Sequence, residues 1–314
     1  MEYTEFIHRA YTNRGNKMNF LKMLGVALLA STLLLSGCSD QLEDNLKEVA
    51  SGAQNAVHQV GDLIQDTGAD WSEDLRNQGK SIQLDKTQPV SKATTLNINH
   101  PLGDITIEPS PRSEEIKVEA KLWGSQIDAE KEKIKQVFQQ AEVSLVPDQE
   151  TLTVLIHPQG KQDENLWDWA QNQYNTSKFL VDYTIYVPEQ VTAYQIHNNV
   201  GNITMSRIQG SLQLTADVGE IQVQEVQIAD DSSIIVNTGQ LDMSINEQSN
   251  FSSLSAKVEL GNLVAKVPST LPSEVEATTE LGELTGIDKE GVKLNGGGPL
   301  ITLTTSVGNI TVSH

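Results

Sequence analysis

From Thr95 onward the chain alternates apolar and polar residues with a period of two. Leu96 and Ile98, Ile105 and Ile107, then Ile116, Val118, Ala120 and Leu122 stand between polar neighbours, the pattern of strands with one buried face. One stretch breaks the rhythm. Ser125 with Asp128 three residues on has the form of a capping box, and Ile127, Ile134, Val137, Phe138 and Ala141 share a helical face, so a helical insertion is predicted over 125–141. Alternation resumes at 143–145, 152–156 and 179–187, where Pro188 stops the last strand. Between them 162–177 is polar and reads as a loop carrying Trp167, Trp169 and Tyr174.

The C-terminal third repeats one unit: polar, apolar or Thr, Gly, polar, apolar, any, apolar. It is seen in Asn199-Val200-Gly201-Asn202-Ile203-Thr204-Met205, and its further copies are centred on Gly219, Gly239, Gly261, Gly282 and Gly308, with an earlier one at Gly103. From Gly201 onward the glycines lie 18, 20, 22, 21 and 26 residues apart, about the length of one coil of stacked strands. A second alternating segment fits between them, such as Leu212-Gln213-Leu214, and the chain would turn at each glycine, where a side chain would clash or φ is positive. The expected fold is therefore all-β, a single-stranded right-handed β-helix (solenoid) of six to seven coils with one inserted helix.

These glycine copies, the insertion at 125–141 and the strand leading to Pro188 resemble the putative-adhesin family of bacterial envelope domains, over about Val90 to His314. The resemblance implies a single-stranded right-handed β-helix in an envelope protein. That family has no agreed catalytic residues to transfer.

Upstream, Lys17 and Lys22 flank Met18, a second start-like methionine after Met1, and Leu24 to Leu35 is almost continuously apolar. A run of about twelve residues is too short to span a bilayer but suits the core of a signal peptide. It closes in Leu35-Ser36-Gly37-Cys38, which resembles the lipobox of bacterial lipoproteins. The resemblance implies cleavage after residue 37 and acylation of Cys38, with the membrane as partner through its acyl chains. Ser39 follows, so no aspartate stands there to retain the protein at an inner membrane if the cell has two. Leu42, Leu46, Val49, Ala53, Val57, Val60 and Ile64 then fall on one helical face, and 66–88 is polar. The predicted organisation is a leader at 1–37, a helical tether and spacer at 38–89, and a β domain at 90–314.

Composition narrows the chemistry. With 22 basic against 42 acidic residues the net charge is −20, which opposes nucleic acid as a partner. The single cysteine excludes an intramolecular disulfide and a cysteine zinc cluster. The GxSxG, HExxH, GxxxxGK[ST] and GxGxxG motifs are missing, and the histidines are scattered, so neither catalytic residues nor a metal or cofactor site is assigned. Asp217, Glu259 and Glu280 share one position of the repeat, and stacked they would form an acidic column able to hold cations or, less in keeping with their few basic neighbours, to process a polysaccharide. Asn199, Asn237 and Ser306 occupy the same column, which favours a solvated turn position. The expected role is a non-enzymatic binding, adhesion or structural module, with an envelope regulatory or assembly component as the alternative. Trp167, Trp169 and Tyr174 are the residues expected to meet a protein or glycan partner, or else to cap the open end of the fold.

Overall fold

A computed structural model describes residues 72–111 and 114–314. The signal-like run, Cys38 and the tether lie outside the described residues. The chain enters as a short helix, α1, at 72–78, whose Leu75 is buried, and continues into β1 at Lys80–Pro89. The folded unit thus begins before Val90, inside the stretch expected to be a polar spacer. β1 reads poorly as a strand because only Ile82 and Leu84 alternate before Lys86 and Gln88. It is fixed instead by pairing antiparallel along its whole length with β4 at Glu115–Gly124, from Lys80 opposite Gly124 to Pro89 opposite Glu115.

Between these lie β2 at Thr95–Leu102 and β3 at Ile105–Pro109. Helix α2, Asp128–Gln140, begins three residues later than expected. The Ser125 hydroxyl accepts from the backbone N–H of Ile127 at 3.3 Å, but Ile127 occupies the N-cap position with no side-chain cap and is 61% exposed. Ile134, Val137 and Phe138 are buried as their spacing predicts. A hairpin follows, β5 at Ala141–Asp148 and β6 at Thr151–Pro158, then helix α3 at Leu166–Tyr174 and β7 at Phe179–Val187. The repeat region forms β8 at Ala193–Val200, β9 at Ile203–Ser206 and β10 at Gln209–Ile245. It continues with β11 at Asn250–Leu260, β12 at Leu263–Lys266, β13 at Ser273–Leu281 and β14 at Leu284–Thr285. The chain ends with β15 at Val292–Leu294, β16 at Leu300–Val307 and β17 at Ile310–Ser313.

The β-helix expectation is corrected. Among the described residues all seventeen strands belong to one nearly closed, barrel-like sheet, and it is not a single-stranded right-handed β-helix. Antiparallel pairs, β1–β4, β4–β7, β5–β6 and β13–β15, interrupt the parallel ones. Order in space also departs from order in sequence: β16 pairs with both β11 and β13, and β17 with both β12 and β14, so the last strand pair is inserted between two earlier ones. The physical reason lies in the repeat itself. Each copy carries the same alternation and the same glycine, so the pattern specifies a corner and a parallel register but not which copy is the neighbour.

Register does place equivalent positions opposite one another. Ile105 and Ile221 both face Ile203, and Leu263 lies between Leu241 and Ile310, which in turn faces Leu284. These aliphatics point inward, and all but the half-buried Leu284 are fully buried, each contributing roughly 1.5–3 kcal/mol.

Candidate functional site

The glycine positions lie at corners of the sheet. Gly103, Gly201, Gly219, Gly239, Gly261 and Gly308 have φ between 130° and 144°, whereas Gly282 does not adopt positive φ. Their backbones touch. A Cβ on Gly239 would stand 1.8 Å from the carbonyl oxygen of Gly219, and one on Gly261 would stand 1.7 Å from that of Gly239. The residue after each glycine closes the corner when its side chain is short. Asn202 N–H donates to Asp104 Oδ1 at 2.9 Å, Glu220 N–H to Asn202 Oδ1 at 2.9 Å, Asn309 N–H to Asn262 Oδ1 at 3.0 Å and Glu283 N–H to Asn309 Oδ1 at 2.9 Å. An Asn or Asp at this position accepts the backbone N–H of the neighbouring corner, a polar seam that the repeat's variable "polar" position concealed.

The acidic column is taken up by its neighbours. Asp217 accepts from Asn237 Nδ2 at 2.9 Å and meets His197 Nε2 at 3.2 Å. Glu259 pairs with Lys257 and accepts from the Ser306 hydroxyl at 2.7 Å; the Lys257 ammonium, and then that hydroxyl, hold its carboxyl below the usual range. Insertion of β16 puts Ser306 beside Glu259 and separates it from Glu280, and the backbone register pairs Asp217 with neither. Asp217, Glu259 and Glu280 are therefore not brought together, and among the described residues no group of three His, Cys, Asp or Glu could hold a metal ion.

Residues 162–177 are not the open loop expected. Asn165 caps α3 by accepting from the N–H of Trp167 and Asp168, and Asn175 closes it in the left-handed conformation at φ 50°. Trp167 is 3% and Trp169 5% exposed. Trp167 stacks on Phe179 with ring centres 5.2 Å apart and donates Nε1–H to the Phe179 carbonyl at 3.3 Å. Trp169 meets Tyr174 edge-on at 5.3 Å, and the Tyr174 hydroxyl accepts from Gln140. Neither indole offers a face to a partner in this arrangement.

Sequence reasoning missed a polar cluster at the start of the fold. Arg76 from α1 reaches Asp182 on β7 through Nε at 2.9 Å and Nη2 at 2.7 Å, and Asp104 at 2.8 Å. Trp123 Nε1–H and the Asp104 N–H also donate to Asp182, at 2.8 and 2.9 Å. Lys121 lies over the Trp123 ring, 3.9 Å from its centre. Nearby, buried His100 bonds the Val181 carbonyl through Nε2 at 2.7 Å; burial pushes its pKa down to about 4 against that bond, so the ring stays neutral and Nε2 is the donor. The only advance signal was Arg76 itself, the one arginine in a segment read as spacer. A separate shallow groove of about 290 Å3 is bordered by Pro109, Pro188, Tyr194, Arg207 and Glu225. Among the described residues no helix is long and apolar enough to cross a membrane.

No family model matches the chain, and no curated protein does. Several solved structures are similar to it, three of them as follows. One, described as "a putative cell adhesion protein" from Clostridium sporogenes, shares 16% identity and a TM-score of 0.41 over 74% of this chain and 99% of its own. A "putative adhesin" from Bacteroides fragilis shares 12% at 0.34 over 74% and 97%, and one from Parabacteroides distasonis 13% at 0.24 over the same shares. At these scores the likeness transfers neither fold nor activity.

Proposed function

We propose that the chain is an extracytoplasmic lipoprotein, held to the membrane by acyl chains on Cys38, whose all-β domain is a non-enzymatic binding, adhesion or structural module of the cell envelope. One observation carries the reading: the only cysteine closes Leu35-Ser36-Gly37-Cys38, directly after a short apolar run with basic residues before it. Two or three acyl chains hold a protein durably where one does not, and a net charge of −20 gives an anionic lipid surface no hold of its own. The domain's surface chemistry supports a module rather than an enzyme, because Asp217 and Glu259 are engaged by His197, Asn237, Lys257 and Ser306 in ordinary surface contacts.

Cys38→Ala in the native host tests the anchor. The variant is expected to take up no labelled palmitate, to stay at precursor length and to leave the processed membrane fraction. Processed, membrane-bound Cys38→Ala protein would overturn the reading.

A further inference from the structure

The insertion of β16 and β17 moves the end of the parallel ladder away from the end of the chain. β13 pairs with β16 along one side, and on the other β15 covers only Ser273–Val275. β14 pairs with β17 alone. Among the described residues Glu276–Leu281 and Leu284–Thr285 thus form a sheet edge with one side unpaired. The Glu274 N–H donates to the Pro299 carbonyl on the β16 side. Alternate residues of a parallel strand turn their backbone groups to the same side, so Ala277 and Thr279 turn theirs outward. Ala277 stays buried, with Ile287 and Val292 packed on the core, but Leu281 agrees with an open edge. In the column Leu102, Val200, Val218, Leu260 and Val307 each residue is half-buried, whereas Leu281, with Val307 on one side only, is 41% exposed.

An edge with free backbone groups and an exposed leucine is a template for another strand. Its charges say which. Glu276 and Glu280 stand on one face of β13 with Thr278 between them, all exposed, and Glu283 follows at the corner. A second copy of the chain is a poor occupant: antiparallel pairing of two β13 edges about Thr278 sets Glu276 directly across from Glu280, and like charges opposite one another destabilise a strand pair. We infer that the edge Glu276–Thr285 takes up, as an added β-strand, an extended segment of another protein in which basic residues alternate with apolar ones. The basic side chains lie beside Glu276 and Glu280; the apolar ones continue the face of Ala277 and Leu281. Backbone hydrogen bonds to Ala277 and Thr279 supply affinity, and the carboxylates supply selection. The inference rests on the binding-module part of the proposed function and uses nothing of the anchor.

The test titrates the full chain with acetylated, amidated (Lys-Val)4, with the same peptide N-methylated on alternate backbone nitrogens, and with (Glu-Val)4, read by calorimetry at physiological salt. (Lys-Val)4 is expected to bind, its N-methylated form about tenfold or more weaker, and (Glu-Val)4 not at all. The double variant Glu276→Lys, Glu280→Lys, shown folded by its melting curve, is expected to lose (Lys-Val)4 by a similar factor and to gain (Glu-Val)4. Equal binding of the methylated and unmethylated peptides would reduce the interaction to charge attraction and overturn the inference. So would the absence of (Lys-Val)4 binding, or a wild-type dimer broken by the double variant. Any of these leaves the fractionation of Cys38→Ala untouched, so failure of the edge and failure of the anchor are read separately.

Discussion

At the scale of single residues, the corner glycines are held by space more than by conformation. At Gly239 the φ of 138° and the Gly219 carbonyl 1.8 Å from any added Cβ act together, and the obstructing atom is backbone that cannot rotate away. Gly160 offers a comparison: its φ is also positive, at 74°, but nothing lies within 4 Å of a Cβ built there. Gly239→Ala is therefore expected to cost about 3 kcal/mol or more, and Gly160→Ala about 1 kcal/mol. Melting curves of the two variants check this, and equal losses would show that positive φ alone sets the cost. The repeat displayed these glycines in advance because their spacing is regular. What it concealed is that from Gly201 onward a side chain at each would meet another glycine.

At the scale of elements, α3 shows how an aromatic-rich polar stretch becomes a plug. Leu166, Trp167, Trp169 and Ala170 are buried, and Asn165 and Asn175 close both ends, so the helix needs no long apolar run to form. Trp167→Ala removes a stacked indole and its bond to the Phe179 carbonyl. A loss of about 3–5 kcal/mol is expected, visible as a lower urea midpoint with unchanged slope. A midpoint matching the parent would place Trp167 outside the core and return it to the surface as a binding residue. Periodicity hid the helix because nine residues give only two and a half turns, and Asp, Gln and Asn occupy its outer face. β1 was hidden for the opposite reason: its alternation fades after Leu84, and its partner β4 supplies the order.

At the scale of the whole described domain, the position of β16 and β17 has the largest consequence. In a stack built in chain order the last strands could be removed and the rest would stand. Here they are, among the described residues, the only ladder between β11–β12 and β13–β14, so their removal opens the sheet from within. A chain ending at residue 299 is expected to lose the cooperative transition of the parent and the hydrogen-exchange protection that β16 and β17 give to 276–285. A truncated chain that keeps the parent's protection over 276–285 would show that those strands pair without β16. The domain can complete this part of its sheet only when the final residues are available, because the contacts concerned are not local in sequence.

The sequence by itself determined that the domain is all-β, which positions of each repeat face inward, and that a glycine stands at each corner, since alternation and backbone clearance are local properties that each copy carries alone. It also displayed Ile134, Val137 and Phe138 as one helical face, and Cys38 as the sole thiol at the end of an export-like run. Tertiary structure alone decided the rest: which copies are neighbours, that Ser306 parts Glu259 from Glu280, that Arg76 reaches Asp104 and Asp182, and that Trp167 turns inward. These are choices among strands and side chains of nearly equal local fitness. Local patterning cannot rank them, because what separates them is the hydrogen bonding and burial available only once residues far apart in the chain are brought together.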